Sequence, residues 1–161
     1  MDPKHSYKVF KLLMEIHDTL FNNENHGRKL GSKFRTRARD IPSQVKSYGL
    51  AYTMLYLYSK ATKSIYDEVE EHLERKNTDL NLNNKEENAA YAIYLYIIKK
   101  LLVEVLGYRP QASGNKSEVE MYISSMLKDG ERDSMAYGQA LIPYLLMVKR
   151  FAEAMYESES G

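Results

Sequence analysis

Ala89-Ala90-Tyr91-Ala92-Ile93-Tyr94-Leu95-Tyr96-Ile97-Ile98-Lys99-Lys100-Leu101-Leu102-Val103-Glu104-Val105-Leu106 is the most apolar run of a 161-residue chain. Its apolar residues, among them Ala90, Ile93, Leu95, Ile97, Ile98, Leu101, Leu102 and Val105, fall on nearly every side of a helix. A helix apolar all round belongs in the middle of a bundle. Lys99, Lys100 and Glu104 interrupt the run, which is too short and too charged to span a bilayer. Asn84 with Glu87 offers a capping pattern at its start, and Gly107 ends it.

Helical punctuation continues in both directions. Upstream, Asp2-Pro3 reads as an N-cap followed by proline at the first helical position, and Val9, Phe10, Leu13, Ile16 and Leu20 recur at helical spacing until Asn22 to Gly27. Ser32 to Asp40 forms a second helix, Pro42 and Gly49 bracket a short turn, and Leu50 opens a helix to about Lys63. Ser64 with Asp67 fits a capping box for an acidic helix ending near Lys76, and Asn77 to Lys85 is the clearest linker. Downstream, Pro110 to Asn115 is a loop and Ser117 with Glu120 caps a helix to Lys128. The last helix runs from about Asp133 to Glu157, with Tyr137, Leu141, Tyr144, Val148, Phe151 and Met155 as a core stripe and Pro143 as a kink or break. Residues 157–161 are expected to fray. No strand-like alternation or repeat is found, so the sequence predicts one all-α domain over 1–161, a bundle of about six helices.

Composition narrows the function. With no cysteine, thiolate metal sites, disulfides and thiol nucleophiles are excluded. The first residues lack a signal-peptide pattern, and a cytoplasmic protein with no membrane association is expected. The net charge of +1 conceals a strong asymmetry. Between Arg28 and Lys63 nine cations face Asp40 alone, a local net of plus eight that leaves minus seven elsewhere. Such a distribution marks a basic surface on an acidic body.

Catalytic patterns are missing. No phosphate-binding glycine loop or serine elbow occurs, and Gly27 with Gly31 reads as a hinge. His5, His17, His26 and His72 have no ligand spacing, and Val69 stands where a Glu-x-x-His motif ending at His72 needs its carboxylate. The carboxylates Asp67, Glu70, Glu71 and Glu74 therefore read as a solvated face; no cofactor or metal is expected, and no enzyme activity.

Binding features remain. Lys33-Phe34-Arg35-Thr36-Arg37-Ala38-Arg39 covers about half of a helix with cations, and like charges four apart disfavour a helix without a compensating anion. Phosphate suits arginine through paired N–H contacts, whereas bridging to the acidic helix at Asp67 to Glu74 is the plainer alternative. Tyr48, Tyr52 and Tyr56 form one stripe running into Lys60 and Lys63. The stripe suits either base stacking or, the reading favoured, a subunit interface. Lys149 and Arg150 flank the core stripe of the last helix.

The stretches Arg37-Ala38-Arg39-Asp40-Ile41-Pro42-Ser43-Gln44-Val45-Lys46-Ser47-Tyr48-Gly49-Leu50 and Thr53-Met54-Leu55-Tyr56-Leu57-Tyr58-Ser59-Lys60-Ala61 resemble the small helical subunit of the type III-B CRISPR effector, the Cmr complex. Val148-Lys149-Arg150-Phe151-Ala152-Glu153-Ala154-Met155 resembles another recurring segment of that family. The chain departs from its pattern at Tyr48, at Pro143 and in lacking tryptophan. The resemblance implies a non-catalytic subunit that stacks in several copies beside the backbone and large subunits, along the guide RNA and its paired target RNA. Arg35, Arg37, Arg39 and Lys46 would line the RNA path with Lys149 and Arg150 beside them, and Lys33 and Lys60 extend the same basic surface. Contact would be electrostatic and sequence-independent, specificity being left to base pairing. A type III-A small subunit, or a helical adaptor on an acidic protein partner, are the alternatives.

Overall fold

The apolar run forms the helix around which the others are arranged. In the computed structural model, which describes residues 1–75, 80–111 and 114–159, seven α-helices follow one another: α1 (Pro3–Ile16), α2 (Gly27–Tyr48), α3 (Leu50–Ala61), α4 (Lys63–Arg75), α5 (Glu86–Glu104), α6 (Glu118–Asp129) and α7 (Glu131–Met155). The described residues contain no strand. A single π-helical turn, His17–Phe21, extends α1. The all-α expectation holds, with one more helix than the six expected. Fourteen of the nineteen residues of α5 are buried, so the helix needs cover on all sides. α1, α2, α3 and α4 pack directly on it, and α7 lies along the other side of α2.

The local signals were partly misleading. Asp2 caps α1 by accepting from the Lys4 N–H at 2.9 Å, and Ser117 with Glu120 forms the expected capping box of α6. The other two capping expectations fail. α4 starts one residue before Ser64, and the Thr62 hydroxyl accepts from the Ile65 N–H at 3.4 Å. α5 follows Lys85, with no side-chain cap. Pro42 does not end the basic helix: α2 runs on to Tyr48, because burial of Ile41, Pro42 and Val45 outweighs one missing helical hydrogen bond. α7 likewise passes through Pro143 unbroken. Residue 76 at the expected end of the acidic helix, 77–79 of the expected linker and 112–113 of the expected loop lie outside the described residues; Leu80 and Leu82 are buried. Met155, expected in the core, is 41% exposed.

α2 and α7 run antiparallel in close contact. A Cβ on Gly138 would lie 2.9 Å from Val45 Cγ1, and one on Gly31 would lie 2.7 Å from the Tyr156 ring. Small residues at both ends of the seam therefore let the two helices meet. Gly31 is part of a helix here, where a hinge was expected.

Lys99 and His26 are among the polar groups buried within this frame. The Lys99 side chain, 2% exposed, reaches from α5 to Glu70 of α4 and to Glu118 of α6 at 3.1 Å. Glu70 also accepts from the Tyr66 hydroxyl at 2.9 Å, and burial beside this carboxylate pushes the Tyr66 pKa up. Lys99→Met is expected to lower the unfolding free energy by about 3 kcal/mol, because a half-buried carboxylate loses its cation. Adding Glu70→Gln should restore most of the loss, both changes being read from urea unfolding curves.

His26, just before α2, is buried and its Nδ1 accepts from the Leu82 N–H at 3.4 Å. Burial lowers its pKa, against the Leu20 carbonyl and Glu86, which favour the charged form. The unfolded chain protonates this side chain at its ordinary value of 6.5, while the folded chain keeps it neutral to lower pH. Below that value the unfolded state binds more protons, so His26's contribution is complete above it and is lost as the pH falls. Thermal melts followed by circular dichroism should show the midpoint dropping from about pH 7 to about pH 5. His26→Asn, which keeps an acceptor for Leu82, should flatten part of that drop.

Candidate nucleic-acid interface

The basic helix α2 is held on its inner face by Leu30, Phe34, Ala38, Ile41 and Val45, all buried. This sets which of its cations are free. Arg35 is not: its Nη1 donates to the Tyr156 carbonyl at 3.0 Å, satisfying backbone where α7 ends. Arg37 is not free either. Its guanidinium lies 4.7 Å from the centre of the Tyr91 ring, donates to the Tyr91 hydroxyl and approaches Glu87 at 3.9 Å, with 17% of the side chain exposed. The Nε atoms of both arginines are buried without a hydrogen-bond partner, so neither guanidinium is offered fully to solvent.

Arg39 and Lys46 stand differently. Both are exposed, and among the described residues neither has an ion pair or a hydrogen-bonded side-chain partner. Arg28, Arg35, Arg39 and Lys46 are spaced seven, four and seven apart, which places them along one side of the helix. Lys33 lies at the far edge of the solvent face, about 140° round the helix from Arg28, and is paired with Glu159 at 3.0 Å.

Lys60 and Arg37 occupy the two ends of an aromatic pair. Lys60 Nζ is 5.8 Å from the centre of the Tyr56 ring, and Tyr56 meets Tyr91 edge-on with ring centres 6.0 Å apart. Burial raises the Tyr91 pKa, as does its hydrogen bond with Tyr56, while Arg37 opposes the rise. Tyr48 and Tyr52 form a separate pair, 5.7 Å between ring centres, and are 64% and 58% exposed. The stripe read from the sequence is thus divided: two tyrosines face solvent and Tyr56 packs against α5. Leu55 and Leu127 are exposed too, in a shallow groove between α3 and α6 that Tyr58 and Ile123 also line.

The remaining sequence candidates are distributed. Lys149 is half-buried on α7. Arg150 lines an apolar groove between α1 and α7, with Phe10, Met14, Leu146 and Met147, and not the α2 surface. The arginines of α2 do not bridge to the acidic helix either. Glu70 and Glu74 of α4 are taken by Lys99 and by Lys100 at 3.2 Å, both from α5. Among the described residues, no group of three His, Asp or Glu could hold a metal ion, and no helix is long and apolar enough to cross a membrane.

The carboxylates that α2 meets most closely were missed in the sequence. Arg28 donates through Nε and Nη2 to Glu157 at 3.1 and 2.9 Å. Glu159 accepts from the Thr36 hydroxyl at 2.6 Å and from Lys33, and these contacts hold its carboxyl below the usual range. Of the tail expected to fray, Glu157 to Glu159 lie across α2, and residues 160–161 lie outside the described residues. The alternation of Glu157 and Glu159, opposite in sign to a basic helix more than a hundred residues earlier, was the one available signal.

Comparisons with known proteins agree with this architecture. The curated CRISPR system CMR subunit Cmr5 of Saccharolobus solfataricus (strain ATCC 35092 / DSM 1617 / JCM 11322 / P2) is 27% identical over 164 residues, covering 93% of this chain and 94% of its own. A chain in the cryo-EM structure of the type III-B Cmr-beta bound to cognate target RNA and AMPPnP shares the fold at a TM-score of 0.71 and 21% identity, over 97% of this chain and 99% of that one. A chain of the type III-B Cmr-beta complex bound to non-cognate target RNA gives 0.68 and 20%, over 99% and 100%. The sequence pattern of the CRISPR-associated protein family Cas_Cmr5 matches residues 13–155, and with nearly the whole chain inside that match, this protein belongs to the Cas_Cmr5 family.

Proposed function

We propose that the protein is a small, non-catalytic subunit of a type III-B effector that holds guide or target RNA against the solvent side of α2 and stacks in several copies. The observation that carries the RNA contact is the pair Arg39 and Lys46, exposed and unengaged on the same side of α2 as Arg28 and Arg35. Cations that pack nothing inside the fold remain available for phosphates, and phosphate contact positions a strand without reading its bases. Arg37 and Arg35 act one step back, fixing how α2 sits on α5 and α7. Self-stacking is supported by the exposed Tyr48 and Tyr52 beside Leu55, since an aromatic patch of this kind suits an interface.

Fluorescence anisotropy with a labelled single-stranded RNA tests the first part. Arg39→Ala with Lys46→Ala should weaken binding about tenfold at low salt and reduce the log–log salt slope by about 1.4, the value for two phosphates of a single strand. Its melting temperature should stay that of the native chain. Arg37→Ala should instead lower the melting temperature with a smaller effect on the slope. Unchanged affinity in the Arg39, Lys46 variant would end the phosphate role of this surface. Sedimentation velocity tests the second part: self-association at high concentration should be lost in Tyr48→Ala with Tyr52→Ala, whose fold is unaffected because both rings are exposed.

A further inference from the structure

Glu157 to Glu159 lie where a nucleic-acid strand would be expected. α7 ends at Met155, and Tyr156 continues in extended backbone, φ −123° and ψ 149°. Tyr156 is firmly placed: its ring packs 4.5 Å from Phe21 and against Gly31, its hydroxyl meets His17 Nδ1 at 3.0 Å, and its carbonyl accepts from Arg35. From Glu157 to Glu159 the character changes. Among the described residues these make no backbone hydrogen bond, and they are held through the two carboxylates alone.

The contacts those carboxylates make are ones a phosphodiester also accepts. Arg28 brings two N–H donors to one oxygen of Glu157. Lys33 and Thr36 each take a different oxygen of Glu159. Guanidinium, ammonium and hydroxyl donors are the usual partners of nucleic-acid phosphate oxygens. Residues two apart in an extended chain are about 7 Å apart, comparable to the step between successive phosphates of a strand. Arg28 also continues the line of Arg39 and Lys46, so the row from Arg28 to Lys46 extends about 27 Å along the helix.

We propose that Arg28, Lys33 and Thr36 form a further phosphate-binding site on α2, occupied in the free chain by its own Glu157 and Glu159 and opened to an RNA backbone when the tail is displaced. The proposal rests on the reading of α2 as the RNA surface. The Arg28–Glu157 pair is 84% and 68% exposed, and exposed ion pairs are weak enough to exchange. Tyr156 acts as the fixed end, so displacement moves Glu157 to Glu159 and leaves α7 in place.

The test compares four full-length chains binding a labelled single-stranded RNA across salt: native, Glu157→Gln with Glu159→Gln, a charge-matched control Glu104→Gln with Glu131→Gln, and Arg39→Ala with Lys46→Ala. Loss of the tail carboxylates should tighten binding about fivefold at low salt relative to both the native chain and the control. The salt slope should steepen by about 1.4, as two more phosphates are neutralised without competition. Tail and control variants that both bind as the native chain does would overturn the proposal while the Arg39, Lys46 effect keeps the RNA surface. A control that tightens as much as the tail variant would overturn it too, leaving only a general charge effect. Absence of RNA binding by every chain would overturn both the tail site and the RNA reading of α2.

Discussion

The burial of α5 on all sides is the constraint from which the rest of the arrangement follows. A helix with Ala89, Ile93, Tyr94, Ile97, Ile98 and Leu102 closed off from water requires partners around its full circumference. Each partner then needs only one apolar stripe, and its polar residues are driven outward. Among the described residues Lys99 is the buried lysine or arginine, and it is held by Glu70 of α4 and Glu118 of α6. The buried ammonium thereby ties α5 to α4 and to the first turn of α6.

That choice has an electrostatic consequence at the surface. The acidic helix α4 carries Glu70 and Glu74, which could have neutralised the basic helix, yet both face the lysines of α5. α2 lies elsewhere, between α5 and α7, and its solvent side is left with a charge that the body of the protein does not cancel. Among the described residues, Glu86 and Glu87 at the start of α5 meet Lys29 and Arg37, and Glu157 and Glu159 meet Arg28 and Lys33. The core arrangement thus keeps the acidic helix away from α2, where Arg39 and Lys46 stay exposed and, among the described residues, without an ion pair.

The elements were legible where periodicity was long. The central helix, the basic helix and the apolar stripe of the last helix were recognisable because burial repeats on one face over many turns. Caps and breakers were less reliable. Pro42 signals a stop in local terms, but Ile41 and Val45 on either side are core residues, and tertiary burial carried the helix through. The same limit applies to the site. Arg35, Arg37 and Arg39 are equivalent by spacing, and only partners far away in sequence divide them: Tyr156 for Arg35 and Tyr91 for Arg37. No pattern within α2 contains that information. Tyr56 is separated from Tyr48 and Tyr52 for the same reason, through its contact with Tyr91.

The division of the arginines also explains how a helix this basic can be held still. Like charges four residues apart repel, and the repulsion is largest where a cation is least hydrated. Arg37 relieves it by lying over the Tyr91 ring, and Arg35 by closing the end of α7, so two of the cations become parts of the scaffold. A lysine at either position could not supply the flat guanidinium that stacks on a ring or reaches a carbonyl at the edge of a helix. With those two charges absorbed, Arg39 and Lys46 can remain exposed at little cost to stability, since water solvates them and nothing in the fold depends on them. The positions that most resemble a binding motif in sequence are therefore the ones that orient the helix, and the cations left exposed are those without internal partners.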